Sequence, residues 1–213
     1  VLLAVYVTLL AKYSGQEDFV IGVPTAGRDH ADLENIIGMF VNMLPIRNRP
    51  KPDITFRHLL ESVKRNALDA YENQNYQFDQ LVNKLNLQGD SSRNALLDTV
   101  FQFQNAEPGD NDYTVIEGEH PIHVSPYHTR HKVAHFDLYL AAYEGIETIG
   151  FYVEYSTAVF KRETVEKMTE YFFELMEQVV KNDRILLKDI KMSHSFVAIE
   201  TETPTLDEYQ EDF

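Results

Sequence analysis

The stretch Ile37-Gly38-Met39-Phe40-Val41-Asn42-Met43-Leu44-Pro45-Ile46-Arg47 decides how the chain is read. It is apolar, with a glycine early, a proline late and one amide in the middle. A run rich in Ile, Val and Phe between breakers predicts a short buried strand, here Met39 to Arg47. An amide inside such a run must find partners or line a cavity, because an unpaired buried amide costs about 1–3 kcal/mol.

Outward from it, the periodicity switches between helix and strand. Upstream, Leu2, Leu3, Tyr6, Leu9, Leu10 and Tyr13 recur at helical spacing, and Gly15 is a C-terminal stop. Phe19 to Pro24 reads as a strand, and Thr25 to Asn35 as a polar loop. Downstream, Pro50 and Pro52 break the chain. Thr55 or Asp53 caps a helix with the face Phe56, Leu59, Leu60, Val63, Ala67, Ala70 and Tyr71. A shorter helix carries Phe78, Leu81, Val82 and Leu85, and residues 88–94 form a polar loop.

Leu97, Thr99, Phe101 and Phe103 alternate as a strand. Residues 105–112 form a Pro/Gly/Asp loop, and 113–125 a weak strand or hairpin. The face Phe136, Leu138, Leu140 and Ala142 pairs, through a turn at Glu144-Gly145, with Ile149, Phe151, Val153 and Tyr155. A long amphipathic helix over 162–181 presents Val165, Met168, Phe172, Leu175, Met176 and Val179. Residues 185–192 would add a short edge strand. The fold class is therefore α/β, a mixed sheet with packed helices in one domain over 1–192. Residues 193–213 form an acidic linker or tail.

Composition narrows the function. The 213 residues are 44% hydrophobic and 25% charged, enough for one domain with a real core. No apolar run reaches the ~20 residues of a membrane span. The absence of cysteine rules out disulfides, thiolate nucleophiles and cysteine metal sites. Cytoplasm is the expected location. A net charge of −15 argues against nucleic acid. The tail exaggerates it, because Glu200, Glu202, Asp207, Glu208, Glu211 and Asp212 lie there without a Lys or Arg. Val1-Leu2-Leu3 begins inside a helix with no leader pattern, so the chain reads as a piece of something longer.

No self-contained catalytic constellation emerges. His120, His123, His128, His131 and His135 cluster, but Pro121 and Pro126 interrupt them, and surface histidines are favoured over a metal site. His135 and Asp137 share a strand face as a solvated pair. Ser91 and Ser92 lack a nucleophile elbow and read as a capped turn. Gly22, Gly27 and Arg28 match no phosphate-binding spacing. Asp110 and Asp112 lack the rest of a calcium loop.

The order of several motifs resembles the condensation domains of nonribosomal peptide synthetases, in the second half of that domain. Ile36 to Arg47 resembles the family's (I/V)GxFVNT(Q/L)xxR, with Met43 where Thr is usual. Tyr71-Glu72-Asn73-Gln74-Asn75-Tyr76-Gln77-Phe78-Asp79 resembles (H/N)QD(Y/V)PFE, with Asn75 for Asp, Gln77 for Pro and Asp79 for Glu. Asp90-Ser91-Ser92-Arg93-Asn94-Ala95-Leu96 resembles RDxSRNPL, with Ala95 for Pro. Tyr13 to Asp18 and Gly22-Val23-Pro24-Thr25-Ala26-Gly27-Arg28 are also family-like.

The resemblance implies one chloramphenicol acetyltransferase-like lobe of a two-lobed enzyme. Its partners would be the N-terminal lobe, upstream and downstream peptidyl carrier domains and an adjacent adenylation domain. Carrier phosphopantetheine arms would enter a tunnel between the lobes, with no cofactor or metal bound directly. The downstream amine would attack the upstream thioester and form a peptide bond, in an antibiotic-type secondary metabolism. The family's HHxxxDG motif belongs to the other lobe, and His131-Lys132-Val133-Ala134-His135 does not replace it. No catalytic residue is therefore expected here, and the piece alone should be inactive.

The resemblance makes Asn42, Phe40 and Gly38 tunnel-lining or positioning residues. Asn42 would either hold the amine or the developing oxyanion, or order a local loop. Arg28, Arg47 and Arg93 would be structural or interface charges. Phe40-Val41-Asn42 favours a peptide-bond-forming member over cyclisation or epimerisation types. The alternative function is a non-catalytic docking module for a carrier protein.

Overall fold

The computed structural model describes residues 1–87, 94, 96–104, 114–116, 122–124, 133–145 and 148–193, with 114–116 and 122–124 described as backbone only. The helix α1 (Leu2–Ser14) is followed by the strands β1 (Phe19–Thr25) and β2 (Asn42–Asn48), then by α2 (Phe56–Glu72) and α3 (Phe78–Lys84). Next come β3 (Thr99–Gln104), the small strands β4 (Thr114–Ile116) and β5 (Ile122–Val124), then β6 (Leu138–Glu144), β7 (Ile149–Tyr155) and α4 (Arg162–Lys181). Five strands form one mixed sheet in the order β2-β1-β3-β6-β7, while β4 and β5 form a separate antiparallel pair. Within the large sheet β1–β3 and β3–β6 run parallel, and both edge pairs run antiparallel.

Helices α1, α2 and α4 cover one face. Their side chains join Ile21, Phe101, Leu138, Leu140 and Ala142 in a single core. Helix α1 lies deepest, with Ala4 through Leu9 all buried, so its apolar residues surround it rather than forming a stripe. The Tyr6 ring lies 6.0 Å from that of Phe101, and its hydroxyl meets Thr99 Oγ1 at 2.5 Å. Burial pushes the Tyr6 hydroxyl pKa well above its ordinary value. Gly15 ends α1 at φ 69°, its N–H donating to Ala11 O at 2.9 Å, as a left-handed cap requires.

Helix α2 starts at Thr55, whose Oγ1 accepts from His58 N at 3.3 Å, while Asp53 pairs instead with Lys188 at 2.7 Å. Only its first half is buried. Ala67 and Ala70 are partly covered and Tyr71 is exposed, with Ala70 packing against Val23, Leu44 and Ile46 of β1 and β2. On α4, Tyr171 joins the buried set and Met176 sits at its margin.

Two predicted strands differ from the structure. The strand expected over Met39 to Arg47 begins only at Asn42, and residues 36–41 form a loop. Its partner β1 ends at Thr25, opposite Asn42, so Met39 to Val41 have no ladder to join. Residues 185–192 are not an edge strand. A 3-10 turn at Leu187–Asp189 and one bridge between Thr55 and Leu186 replace it, because the segment pairs with the turn before α2.

That segment is then strapped along α4. Gln178 Nε2 donates to Lys191 O at 2.7 Å, and its Oε1 accepts from Lys191 N at 3.0 Å. Glu174 accepts from Ser193 N at 2.9 Å and from Ser193 Oγ at 2.6 Å. The combined substitution Gln178→Ala, Glu174→Ala removes all four bonds. Tryptic cleavage after Lys191 is then expected to accelerate at least tenfold. An unchanged rate, measured by intact mass, would mean that backbone pairing alone holds the segment.

Candidate functional site

Three of the motif segments, 22–28, 36–47 and 71–79, meet at one end of the sheet, where β1 finishes at Thr25 opposite the first residue of β2, Asn42. Asn42 is 6% exposed, and its amide is fully occupied. Nδ2 donates to Gln74 O at 2.8 Å and to Tyr76 O at 3.0 Å. Oδ1 accepts from Met43 N at 2.9 Å and from Phe78 N at 3.1 Å. Two donors and two acceptors exhaust what an amide can offer. The network also settles the amide's orientation, since a flipped group would set oxygen against two carbonyls.

Phe78 is the first residue of α3, whose preceding residue Gln77 makes no side-chain cap. Asn42 thus supplies the cap from another element, 36 residues away in sequence. The loop between α2 and α3 has two further ties. Thr25 Oγ1 donates to Gln74 Oε1 at 2.7 Å, and Asn75 Nδ2 donates to Asp29 Oδ2 at 2.8 Å.

The loop before Asn42 is braced from the other side. Gly27 adopts φ 63°, and a Cβ there would land on the Phe40 carbonyl oxygen. Arg28 donates to Leu33 O and, at 3.4 Å, to Gly38 O, and its guanidinium lies 4.4 Å from the centre of the Phe40 ring. Gly38 is exposed and Phe40 half-buried. Of the three expected tunnel residues, Asn42 turns inward, and Gly38 and Phe40 belong to the outer loop.

Met43, the departure from the family pattern, also has a packing role. Its sulfur lies 3.1 Å from where a Cβ on Gly22 would be, with Leu97 Cδ1 at 2.9 Å and Val100 Cγ2 at 3.0 Å from the same point. Gly22 therefore lets β3 and the Met43 side chain close over β1.

Arg47 lies at the opposite end of β2. Its Nε and Nη2 grip Asp18 at 2.7 and 2.8 Å, and Arg49 Nε adds a third contact at 3.1 Å. The Arg47 hydrogen bonds, reinforced by Arg49, hold the Asp18 carboxyl at a pKa of about 2 against some desolvation. A carboxyl lowered on folding stabilises the native state above its unfolded pKa, and the gain disappears as pH falls through about 2. Arg47→Ala is expected to return the Asp18 titration, followed by NMR, most of the way to the ordinary carboxylate range. An unmoved midpoint would show that Arg49 alone sets it.

Arg93, Ser91, Ser92, Asp110, Asp112, His120, His128 and His131 lie outside the described residues, as does the His123 side chain. Among the described residues no group of three His, Asp or Glu could hold a metal ion. His135 and Asp137 fall just before β6 rather than on it. The His135 backbone is held on both sides, its carbonyl by Asn94 Nδ2 at 3.0 Å and its N–H by Glu154 Oε1 at 3.3 Å.

One feature carried no sequence signal. On the sheet face away from the helices, a trough of about 580 Å³ is lined by Tyr139, Tyr143, Tyr152, Glu154 and Gln104. Tyr139 donates to Gln102, and its ring meets that of Tyr152 edge-on at 6.5 Å. Burial first, then the Glu154 charge, raises the Tyr139 and Tyr152 hydroxyl pKa values. Tyrosines at alternate strand positions read as ordinary sheet residues, so only the sheet face with no described helix over it reveals the trough.

Known proteins share both the sequence and this architecture. The sequence profile described as "Condensation domain" matches residues 1–198. The chain belongs to the condensation-domain family. Gramicidin S synthase 2 of Brevibacillus brevis is 44% identical over 194 residues, covering 90% of this chain and 4% of that protein. Tyrocidine synthase 3 of Brevibacillus parabrevis is 45% identical over 192 residues, covering 90% and 3%. Bacitracin synthase 3 of Bacillus licheniformis is 49% identical over 180 residues, covering 84% and 3%. The condensation-domain chain thus spans only a few per cent of these relatives.

Among solved structures, the X-domain from teicoplanin biosynthesis superposes with a TM-score of 0.79 at 22% identity, over 90% of this chain and 43% of that one. A four-domain nonribosomal peptide synthetase, holo-AB3403, gives 0.80 at 21% identity, over 91% and 16%. These likenesses establish the chloramphenicol acetyltransferase-like fold of the condensation domain. No described helix is long and apolar enough to cross a membrane.

Proposed function

We propose that this chain is the C-terminal lobe of a peptide-bond-forming condensation domain. In that reading the lobe supplies one wall of a tunnel between two carrier-borne thioesters. The observation that carries it is 44% identity to a peptide synthetase across 90% of the chain, with the motif-bearing segments joined in one hydrogen-bonded knot. The reaction moves the upstream acyl group from its phosphopantetheine sulfur to the amine of the downstream aminoacyl thioester. The amine loses a proton, and the thiol leaves. The carrier arms bring both substrates, and the 213 residues contain no HHxxxDG to supply the base.

The lobe's contribution is then positional. Holding two reactants in register is worth several kcal/mol without any protein group taking part in bond-making. Asn42 acts in this scheme as a positioning residue. It sets the loop 74–78 against the end of β1 and leaves no N–H for an oxyanion.

Mixing two loaded carrier domains with the chain alone is expected to give no dipeptide above background. The same lobe within the intact synthetase should give turnover. Dipeptide formed by the chain alone would overturn the assignment. Carrier binding without turnover in the intact protein would instead favour a docking module.

A further inference from the structure

The loop 36–41 exposes its side chains to an unusual degree for their chemistry. Ile36 is 48% exposed, Ile37 101%, Met39 88% and Val41 54%. These four fall within six residues, and no charge interrupts the run from Ile36 to Val41. A contiguous apolar surface of this kind marks an interaction site, whereas single exposed leucines do not.

The loop is also built rather than loose. Arg28 holds its Leu33 and Gly38 carbonyls and stacks on Phe40, Gly27 admits the Phe40 backbone, and Ile36 N donates to Leu33 O at 3.2 Å. Side chains presented on a braced loop lose less entropy on docking than those on a mobile one. Ile37 protrudes fully, so the surface is a knob that enters a partner and not a wall that cups a substrate.

The size of the relatives indicates what the knob enters. This chain covers 43%, 42% and 41% of three solved chains: the teicoplanin X-domain, the condensation domain of a monacolin K polyketide synthase, and the first condensation domain of the calcium-dependent antibiotic synthetase. More than half of each lies beyond the part matched here. We infer that Ile37 and Met39 form the apolar knob on which the remainder of the same condensation domain seats. Asp32 and Glu34, both exposed, precede it closely in sequence and fit a basic rim on that partner.

The inference rests on the proposed two-lobed reading, and the test separates the two. Met39 oxidation by hydroxyl radicals is followed by mass spectrometry in the 213-residue chain and in the intact synthetase. Protection of at least tenfold in the synthetase is expected. Equal oxidation in a synthetase that still forms peptide bonds would overturn the knob and leave the two-lobed reading intact. Concentration-dependent protection in the 213-residue chain would overturn it in favour of a second copy of this chain. The double substitution Ile37→Asp, Met39→Asp provides an independent readout. In the 213-residue chain the melting temperature should hold, because both side chains face water there. In the synthetase, dipeptide formation should fall more than tenfold and Gly38–Val41 amide exchange should accelerate. Loss of stability in the 213-residue chain would show instead that the knob is part of the lobe's own core, and would overturn the proposal.

Discussion

Replacing Asn42 with alanine is expected to destabilise the chain by about 3 kcal/mol, a large share of the stability of an ordinary domain. The substitution strands two carbonyls, Gln74 O and Tyr76 O, and two N–H groups, Met43 N and Phe78 N. It also uncaps α3, a helix of seven residues with no side-chain cap of its own. Urea denaturation of the chain checks the magnitude, and hydrogen exchange checks the place. The amides of Tyr76 to Leu81 should exchange first.

An oxyanion donor would behave differently. Its removal lowers the rate by a factor of about 10²–10³ and need not touch stability. Asn42→Asp sharpens the distinction. The new carboxylate keeps both acceptor bonds but turns oxygen toward two carbonyls, which favours its protonated form in the folded state. A group raised on folding contributes stability below its unfolded pKa and loses it as pH rises through the folded value. This variant should therefore gain stability on mild acidification relative to the parent chain. A flat difference between the two would count against the arrangement of donors described here.

Gly27→Ala has the second large effect, expected at about 2–4 kcal/mol. One part is backbone strain, because φ 63° is a conformation that alanine adopts only at a cost of about 1 kcal/mol. The larger part is collision with the Phe40 carbonyl, which is backbone and cannot swing aside like a long side chain. Relief requires the loop 38–41 to back away, which would loosen the Arg28–Phe40 stack. Differential scanning calorimetry reads the loss, and protease cleavage between Ile36 and Val41 reads its location. A variant that melts with the parent chain would show that the two loops are not in register.

Helix α1 is legible in the sequence from its helical recurrence and the Gly15 stop although it is buried on all sides, and α2 and α4 are legible because each has one regularly spaced apolar face that meets the core. The β6–β7 hairpin was legible for the same reason with a period of two. Residues 39–41 fall outside the strand because apolar composition does not say what it is apolar against. Met39 and Val41 look like strand residues until β1 is seen to end at Thr25. The segment 185–192 failed for a related reason. Its backbone partners, Pro52, Ile54 and Phe56, lie far away in sequence, in the turn before α2 and at the first residue of that helix.

At the site, the motifs point to segments that the structure brings together, 22–28, 36–47 and 71–79, but not to the hydrogen bonds of their atoms. Asn42 was left open between a tunnel donor and a local organiser. No spacing rule could show that Gln74, Tyr76 and Phe78 would take all four of its bonds. Arg28 reads as a structural or interface charge, and the structure adds that it spans the loop from Leu33 to Phe40. The tyrosine trough was silent because Tyr139 and Tyr152 sit on different strands, and only their pairing brings the rings together.

Asn42 serves shape, its amide fully committed within this chain. NMR of the Asn42 side-chain NH2 in the 213-residue chain tests this most directly. Slow exchange with solvent and hydrogen-bond couplings from both N–H groups to the Gln74 and Tyr76 carbonyls are predicted. Rapid exchange of either proton, as for an exposed amide, would contradict the account and return Asn42 to the tunnel as a free donor.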